Sequence, residues 1–344
     1  MKGKAAIILL AGLLIYIVFL FFFMDVGAII RAIQQANLVY YLLAFLASLM
    51  NVLFFSLTWW RLLRTLSIKT TFWKIFSFTW VGKFIDILIP AESVSGEITR
   101  AYLMNKDSNG NIGGITASII SHRVINTIIS FGGFMIGAIV FNLRHEVGQL
   151  VKGLIVTIMI GAMASIIFLI ILCMRKKLAF RIANSLLGLL HTILRGRWSL
   201  KHLKQTIPKI LDSFYDGIKI LRYHPTSFFL PIAFSIAAWV SKLLIVFFVF
   251  ISLGVEVPLS AIMVVFAITD TLQTIPLGIP GEVGVTEITM TVLYTAIGVP
   301  SIISATATIL TRIVTMWFKL LVGGGMAQWV LHKENVKFNQ VSFK

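Results

Sequence analysis

The sequence predicts an all-α, polytopic membrane protein of about six full spans, with two re-entrant helical hairpins between them. Three observations predict it. Of 344 residues, 58% are hydrophobic and only 12% charged, about half the roughly 25% of soluble domains. Apolar runs near the ~20 residues that a helical span needs recur along the chain. The net charge of +17 gathers between those runs, the pattern of cytoplasmic loops rather than of a nucleic-acid-binding surface.

The elements follow in order. Residues 5–24 form the first span, behind Lys2 and Lys4, which hold the N-terminus in the cytoplasm. A signal peptide is the alternative, but the run is long for one and no small-x-small cleavage site follows Phe23-Met24-Asp25. Residues 25–37 lie outside, and the span 38–57 returns to deliver Arg61, Arg64, Lys69 and Lys74 to the cytoplasm. Residues 72–90 are apolar, yet they carry Lys83 and Asp86 and end at Pro90. A full crossing there would put the basic block 175–224 outside, where eleven Lys and Arg face only Asp212 and Asp216. That opposes the positive-inside bias, so 72–90 is expected to dip in and return; a true span is the alternative. Residues 112–141 then exit and 150–174 return. The block 175–224 is cytoplasmic, either an interfacial amphipathic segment or a solvated loop. Residues 228–253 exit, 259–298 leave and regain the outer side as a second hairpin, and 301–331 return to a C-terminus marked by Lys333, Lys337 and Lys344. The whole chain, 1–344, reads as one transmembrane domain. Lone Cys173 has no partner for an internal disulfide.

The tip of the second hairpin, TIPLGIPGEVG (274–284), breaks the helix with Pro276, Gly278, Pro280, Gly281 and Gly284. Non-helical backbone at membrane depth is tolerated only inside protein or beside a watery cavity. The charges say the same. Asp86, Glu92, Glu97, Asp270, Glu282 and Glu287, six of the 13 acidic residues, fall in or beside the two hairpins. Each charge at a helix centre costs about 2.5–3.5 kcal/mol on insertion scales, so intramembrane charges are functional candidates. Basic candidates are Arg100, three residues after Glu97, then Arg123, Lys242, and Arg312 with Lys319 seven residues on. Against function stands the possibility that these ion pairs only orient helices. Ser95-Gly96-Glu97 and Pro280-Gly281-Glu282 echo one another, each ahead of a long helix with an embedded arginine. With hairpins entered from opposite sides, that is the outline of an inverted repeat.

Three segments resemble the flippase-like family that includes the transmembrane region of lysylphosphatidylglycerol synthase. PAESVSGEITRAYLM (90–104) resembles its P-x5-G-E-x2-R-A stretch. IPGEVGVTEITMTVLYTAIGVP (279–300) resembles its P-G-G-x-G-x-x-E signature, and LTRIVTMWFKLLVGG (310–324) resembles the helix that follows. The matched positions are Pro90, Gly96, Glu97, Arg100, Pro280, Gly281, Gly284, Glu287 and Arg312. Glu282 departs from the pattern, standing where the family usually has glycine. The resemblance implies a lipid translocase acting on an amphipathic lipid, such as a phospholipid or a polyprenyl-phosphate-linked glycolipid. Its path would be lined by Glu97, Arg100, Arg123, Glu282, Glu287 and Arg312, with Pro90, Gly96, Pro280, Gly281 and Gly284 shaping the hairpins. The expected partners are membrane lipids with anionic headgroups and a separate lipid-synthesising enzyme, in the cell membrane. Lysyl transfer to lipid is not expected, because the soluble transferase domain has no room after Lys344.

No Walker-type G-x4-G-K-[ST] occurs, so this chain is not expected to hydrolyse ATP. His145-Glu146 lacks the second histidine of H-E-x-x-H, and no G-x-S-x-G is present. The sequence is therefore read as that of a non-enzyme needing no cofactor or metal. A small-solute or ion transporter, an intramembrane lipid-modifying enzyme and a scaffold remain as alternatives.

Overall fold

The computed structural model describes residues 25–89, 94–108, 112–144, 149–182, 225–273 and 279–341, with isolated positions between 185 and 223. The expected first span, Pro90, Glu92, residues 274–278 and most of the basic block lie outside the described residues.

Every regular element among the described residues is helical. A short helix α1 (Val26–Gln35) leads into α2 (Leu38–Thr65). Asp25 and Asn37 start them, their side-chain oxygens accepting from the backbone N–H of Ala28 and of Val39, each at 3.0 Å. Then come α3 (Phe72–Leu88), α4 (Val94–Asp107), α5 (Ile112–Arg144) and α6 (Gln149–Met174). The second half has α7 (Phe229–Ser252), α8 (Leu259–Leu272), α9 (Val285–Ala296), α10 (Ser301–Arg312) and α11 (Phe318–Val341), the last two joined by a π-helical turn, Ile313–Trp317. Four stretches are long and apolar enough to cross a membrane: Leu38–Thr65, Ile112–Leu143, Thr226–Ser252 and Ser301–Val330. Another expected span, 150–174, is the 26-residue α6. It touches α5 and α8 and leaves Val156, Ile160, Ile167 and Phe168 exposed, as suits a lipid-facing helix that is apolar all round.

Helices α2 and α7 pack antiparallel at the centre. Asn37 N–H donates to the Ser252 carbonyl at 2.7 Å at one end. The Asn51 amide donates to the Ala238 carbonyl at 2.8 Å midway, and Thr58 meets Ser235 at 3.2 Å near the other end. Polar ties matter here because lipid gives helices little hydrophobic reason to associate. Close approach supplies the rest: a methyl group on Gly133 of α5 would overlap the Trp239 ring of α7.

Both hairpins are present, but the first is wider than 72–90: α3 is only its entering limb and α4 its return. Helices α3 and α4 have 17 and 14 residues, so at about 1.5 Å per residue each falls short of the ~30 Å hydrocarbon core. They run antiparallel: Lys74 pairs with Asp107 at 2.7 Å at the open end, and Gly82 touches Gly96 near the tip. Asp86 Oδ1 closes the tip, accepting from Gly96 N–H at 2.6 Å and Ser95 Oγ–H at 3.0 Å. This hairpin opens at the Thr65 end of the bundle. The second, α8 with α9, has helices of 14 and 12 residues and follows Ser252, so it opens at the opposite end. The tips meet, since the 280–282 turn touches α3 and a methyl group on Gly281 would sit 3.4 Å from Ile87.

The order of elements therefore repeats inverted: α2, hairpin, α5, then α7, hairpin, α10–α11. Arg123 stands eleven residues after Ile112 and Arg312 eleven after Ser301. The register corrects the sequence echo. Glu97 and Glu287 each occupy the first turn of a returning helix, whereas Glu282 sits in the turn before it. Glu97 matches Glu287, not Glu282.

Two apolar cores flank the middle. One joins α7, α8, α9 and α10 to the first half of α2. The other joins the second half of α2 to α3, α4, the start of α5 and α11.

Candidate functional site: a charged cavity between opposed hairpins

Between these cores lies a cavity of about 420 Å³, within the range of roughly 300–1,000 Å³ for small-ligand sites. Its wall is unusually charged for the interior of an apolar bundle. Helix α3 contributes Lys83 and Asp86, α4 contributes Glu97 and Arg100, and α5 contributes His122, Arg123 and Asn126. Lys242 comes from α7, Asp270 from α8 and Lys319 from α11. Five formal cations thus face three carboxylates.

Two cations are neutralised within the wall. Arg123 Nη1 lies 3.0 Å from Glu97 Oε2, and Lys242 Nζ lies 2.7 Å from Asp270 Oδ1. The third carboxylate, Asp86, is turned to the hairpin tip. Lys83, Arg100 and Lys319 have no carboxylate within 4.0 Å among the described residues. Aromatic faces hold two of them: Lys83 Nζ stands 4.4 Å from the Phe55 ring centre, and Arg100 Cζ stands 5.1 Å from Phe55 and 5.0 Å from Trp59. Arg100 is 6% exposed and Lys319 8%. Arg100 Nη1 and His122 Nε2 are buried with no hydrogen-bond partner among the described residues.

The residues expected from the sequence separate into two groups. Glu97, Arg100 and Arg123 line the cavity. Glu287 and Arg312 do not: they form a sealed pair, Nε to Oε1 at 2.6 Å, that pins the second tip. Glu287 Oε2 also accepts from Gly284 N–H at 2.7 Å, capping α9, while Arg312 Nη2 donates to the Gly281 carbonyl and toward Met316 Sδ. Glu282 lies in a small recess with Thr269, Gln273 and Thr286, accepting from Thr286 Oγ1 at 3.3 Å. Pro280 is buried, and Gly281 and Gly284 adopt φ of +58° and +93°, where a side chain is strained. Glu282 shares that region at φ +52°, which explains why glycine suits the position. Gly96 is the contact point of the first hairpin, and Pro90 lies outside the described residues.

Sequence reasoning left Lys83, Asp86, His122, Lys242, Asp270 and Lys319 off the path. Their signal was present as isolated polar groups in apolar helices. What was missing was their convergence from five different helices.

Two inverted halves, with a charged cavity where broken helices meet, define a polytopic membrane protein with a candidate binding site between its hairpins. The chain belongs to the lysylphosphatidylglycerol synthase transmembrane-region family, whose model matches residues 9–323. It is similar to a UPF0104 membrane protein of Pyrococcus horikoshii, 24% identical over 86% of this chain and 88% of that one. It is also similar to UPF0104 membrane proteins of Methanothermobacter thermautotrophicus, 23% identical over 94% of each chain, and of Methanocaldococcus jannaschii, 23% identical over 93% of each.

Proposed function

We propose that this protein is a lipid translocase, moving an amphipathic lipid between leaflets of the cell membrane. The observation that carries the reading is the charged cavity between the tips of two hairpins that open at opposite ends of the bundle. A headgroup crossing hydrocarbon needs polar company at mid-depth, while its chains stay in lipid. Arg61, Arg64, Lys69 and Lys74 gather at the Thr65 end, which supports a cytoplasmic reading of that end by the positive-inside bias. With residues 5–24 read from the sequence as a span, both termini are cytoplasmic on this reading. The process is binding and movement without covalent chemistry, and its driving force is a gradient or the lipid's own concentration difference.

The test is leaflet exchange in vesicles reconstituted with the purified chain. Fluorescent phospholipid in the inner leaflet should become accessible to a membrane-impermeant quencher faster than in protein-free vesicles. Exchange at the protein-free rate, together with flux of a small anion or cation, would replace the translocase by a solute transporter.

A further inference from the structure

We infer that the cavity binds a phosphate-bearing, net-anionic headgroup through Lys83, Arg100 and Lys319, and discriminates against cationic headgroups. As a statement about transported lipid this rests on the translocase reading; as a binding site it stands alone.

The charge inventory carries the argument. The Glu97–Arg123 and Lys242–Asp270 pairs are internally balanced at 3.0 and 2.7 Å. Asp86 accepts from the neutral Gly96 and Ser95 donors and keeps its charge, so five cations against three carboxylates leave the wall with two positive charges in excess. The three remaining cations lie on three elements, α3, α4 and α11, and line one cavity. Aromatic neighbours orient Lys83 and Arg100 without supplying negative charge. Buried charge without a counter-ion is disfavoured, so an anion entering the cavity gains the attraction of the excess positive charge, whereas a cation meets its repulsion.

The chemistry selects phosphate among anions. Arg100 Cζ lies 5.1 and 5.0 Å from the Phe55 and Trp59 ring centres, which holds the guanidinium at the cavity wall, and its fork suits two phosphate oxygens at once. Lysine ammoniums from two other helices add point charges around a multi-oxygen anion. The His122 ring lies 4.2 Å from the Phe55 ring by centroid distance, and its Nε2, buried with no partner among the described residues, offers one more hydrogen-bonding atom. A headgroup carrying an extra amine finds both carboxylates of the cavity pairs already engaged.

The experiment uses the full chain in neutral detergent and follows ligand-induced change in thermal unfolding. Short-chain phosphatidylglycerol, phosphatidylcholine and an aminoacylated, net-cationic phosphatidylglycerol with the same acyl chains are titrated, beside glycerol phosphate, inorganic phosphate and chloride. The anionic lipid should bind at least tenfold tighter than the cationic one. Arg100→Gln and Lys319→Gln should each weaken it about tenfold. Both ligand-free variants should unfold at the same temperature as the parent or higher, because an unpaired buried cation has been removed. If Arg100→Gln fails to fold for want of its aromatic contacts, Lys319→Gln decides.

Equal affinity for the three lipids, or preference for the cationic one, would overturn the inference. So would chloride competing as well as phosphate. Free phosphate binding as tightly as the lipid would make this a soluble-phosphate site and remove the headgroup claim. The two readings fail separately. Anion-selective binding without leaflet exchange sinks the translocase and keeps the site; exchange of cationic lipid as fast as anionic does the reverse.

Discussion

Glu287→Gln tests the division between the tip-pinning pair and the cavity. In the native protein the Glu287 and Arg312 side chains are 5% and 9% exposed. The carboxylate accepts from two donors, Arg312 Nε–H at 2.6 Å and Gly284 N–H at 2.7 Å. Glutamine offers one carbonyl oxygen, so either the arginine or the start of α9 loses its acceptor. In both cases Arg312 stays buried without a counter-charge. Removing one partner of a buried pair costs about 3–5 kcal/mol. Loss of the helix cap alone would cost about 0.5–2 kcal/mol, so the buried cation dominates. Replacing both residues, Glu287→Leu with Arg312→Met, removes both charges together and should cost clearly less than the two single losses added. A coupling of about 1–3 kcal/mol is expected. The assay is unfolding by sodium dodecyl sulfate in mixed micelles, followed by tryptophan fluorescence across the four members of the cycle. A loss below about 1 kcal/mol for Glu287→Gln, with leaflet exchange abolished, would refute the reasoning. It would mean that Glu287 is solvated and belongs to the transport path.

Three further outcomes follow from the same geometry. Glu282→Gly should stabilise the protein by about 1 kcal/mol, since it relieves a left-handed non-glycine residue; a lower midpoint in the same unfolding titration would show that the contact with Thr286 outweighs the strain. Gly96→Ala should destabilise by about 1–3 kcal/mol through overpacking, because its methyl group would overlap the Gly82 carbonyl and the Asp86 carboxylate, while Gly132→Ala, with open space around it, should be neutral or stabilising. With Cys173 replaced, Lys69→Cys and Glu256→Cys, both exposed, should react with a membrane-impermeant thiol reagent from the cytoplasmic and the outer side respectively; labelling of both from one side would contradict the opposed hairpins.

How much of this was legible in the sequence depends on the kind of interaction. Spans were legible because apolar length is a local property: 38–57, 112–141, 228–253 and 301–331 all fall within helices that the structure makes continuous or nearly so. The hairpins were legible because charge balance forbade a full crossing at 72–90 and because proline and glycine cluster at 276–284. The role of Asp86 was not. A carboxylate in an apolar helix reads as a functional charge, and its use as the closing acceptor for Gly96 N–H depends on where α4 folds back. Lys83 and Lys319 carried no motif. Only the packing of α11 against α3 brings them to one wall, and no sequence window contains both.

Arg123 and Arg312 show most clearly why position alone does not assign a role. They occupy the same register in the two inverted halves and pair with matching glutamates, 26 and 25 residues earlier. Their surroundings differ. Around Arg312 the Gly281 carbonyl, Met316 and the α9 cap close over the pair, so both groups are consumed in holding backbone. Around Arg123 the first tip is closed by Asp86 instead, which leaves the Glu97–Arg123 pair 19% and 31% exposed and on the cavity wall. One half therefore uses its ion pair to close its hairpin; the other closes its hairpin with a separate carboxylate and keeps its pair at the cavity. Asp86 keeps its charge on the cavity wall; with both ion pairs balanced, Lys83, Arg100 and Lys319 outweigh that single carboxylate by two positive charges among the described residues.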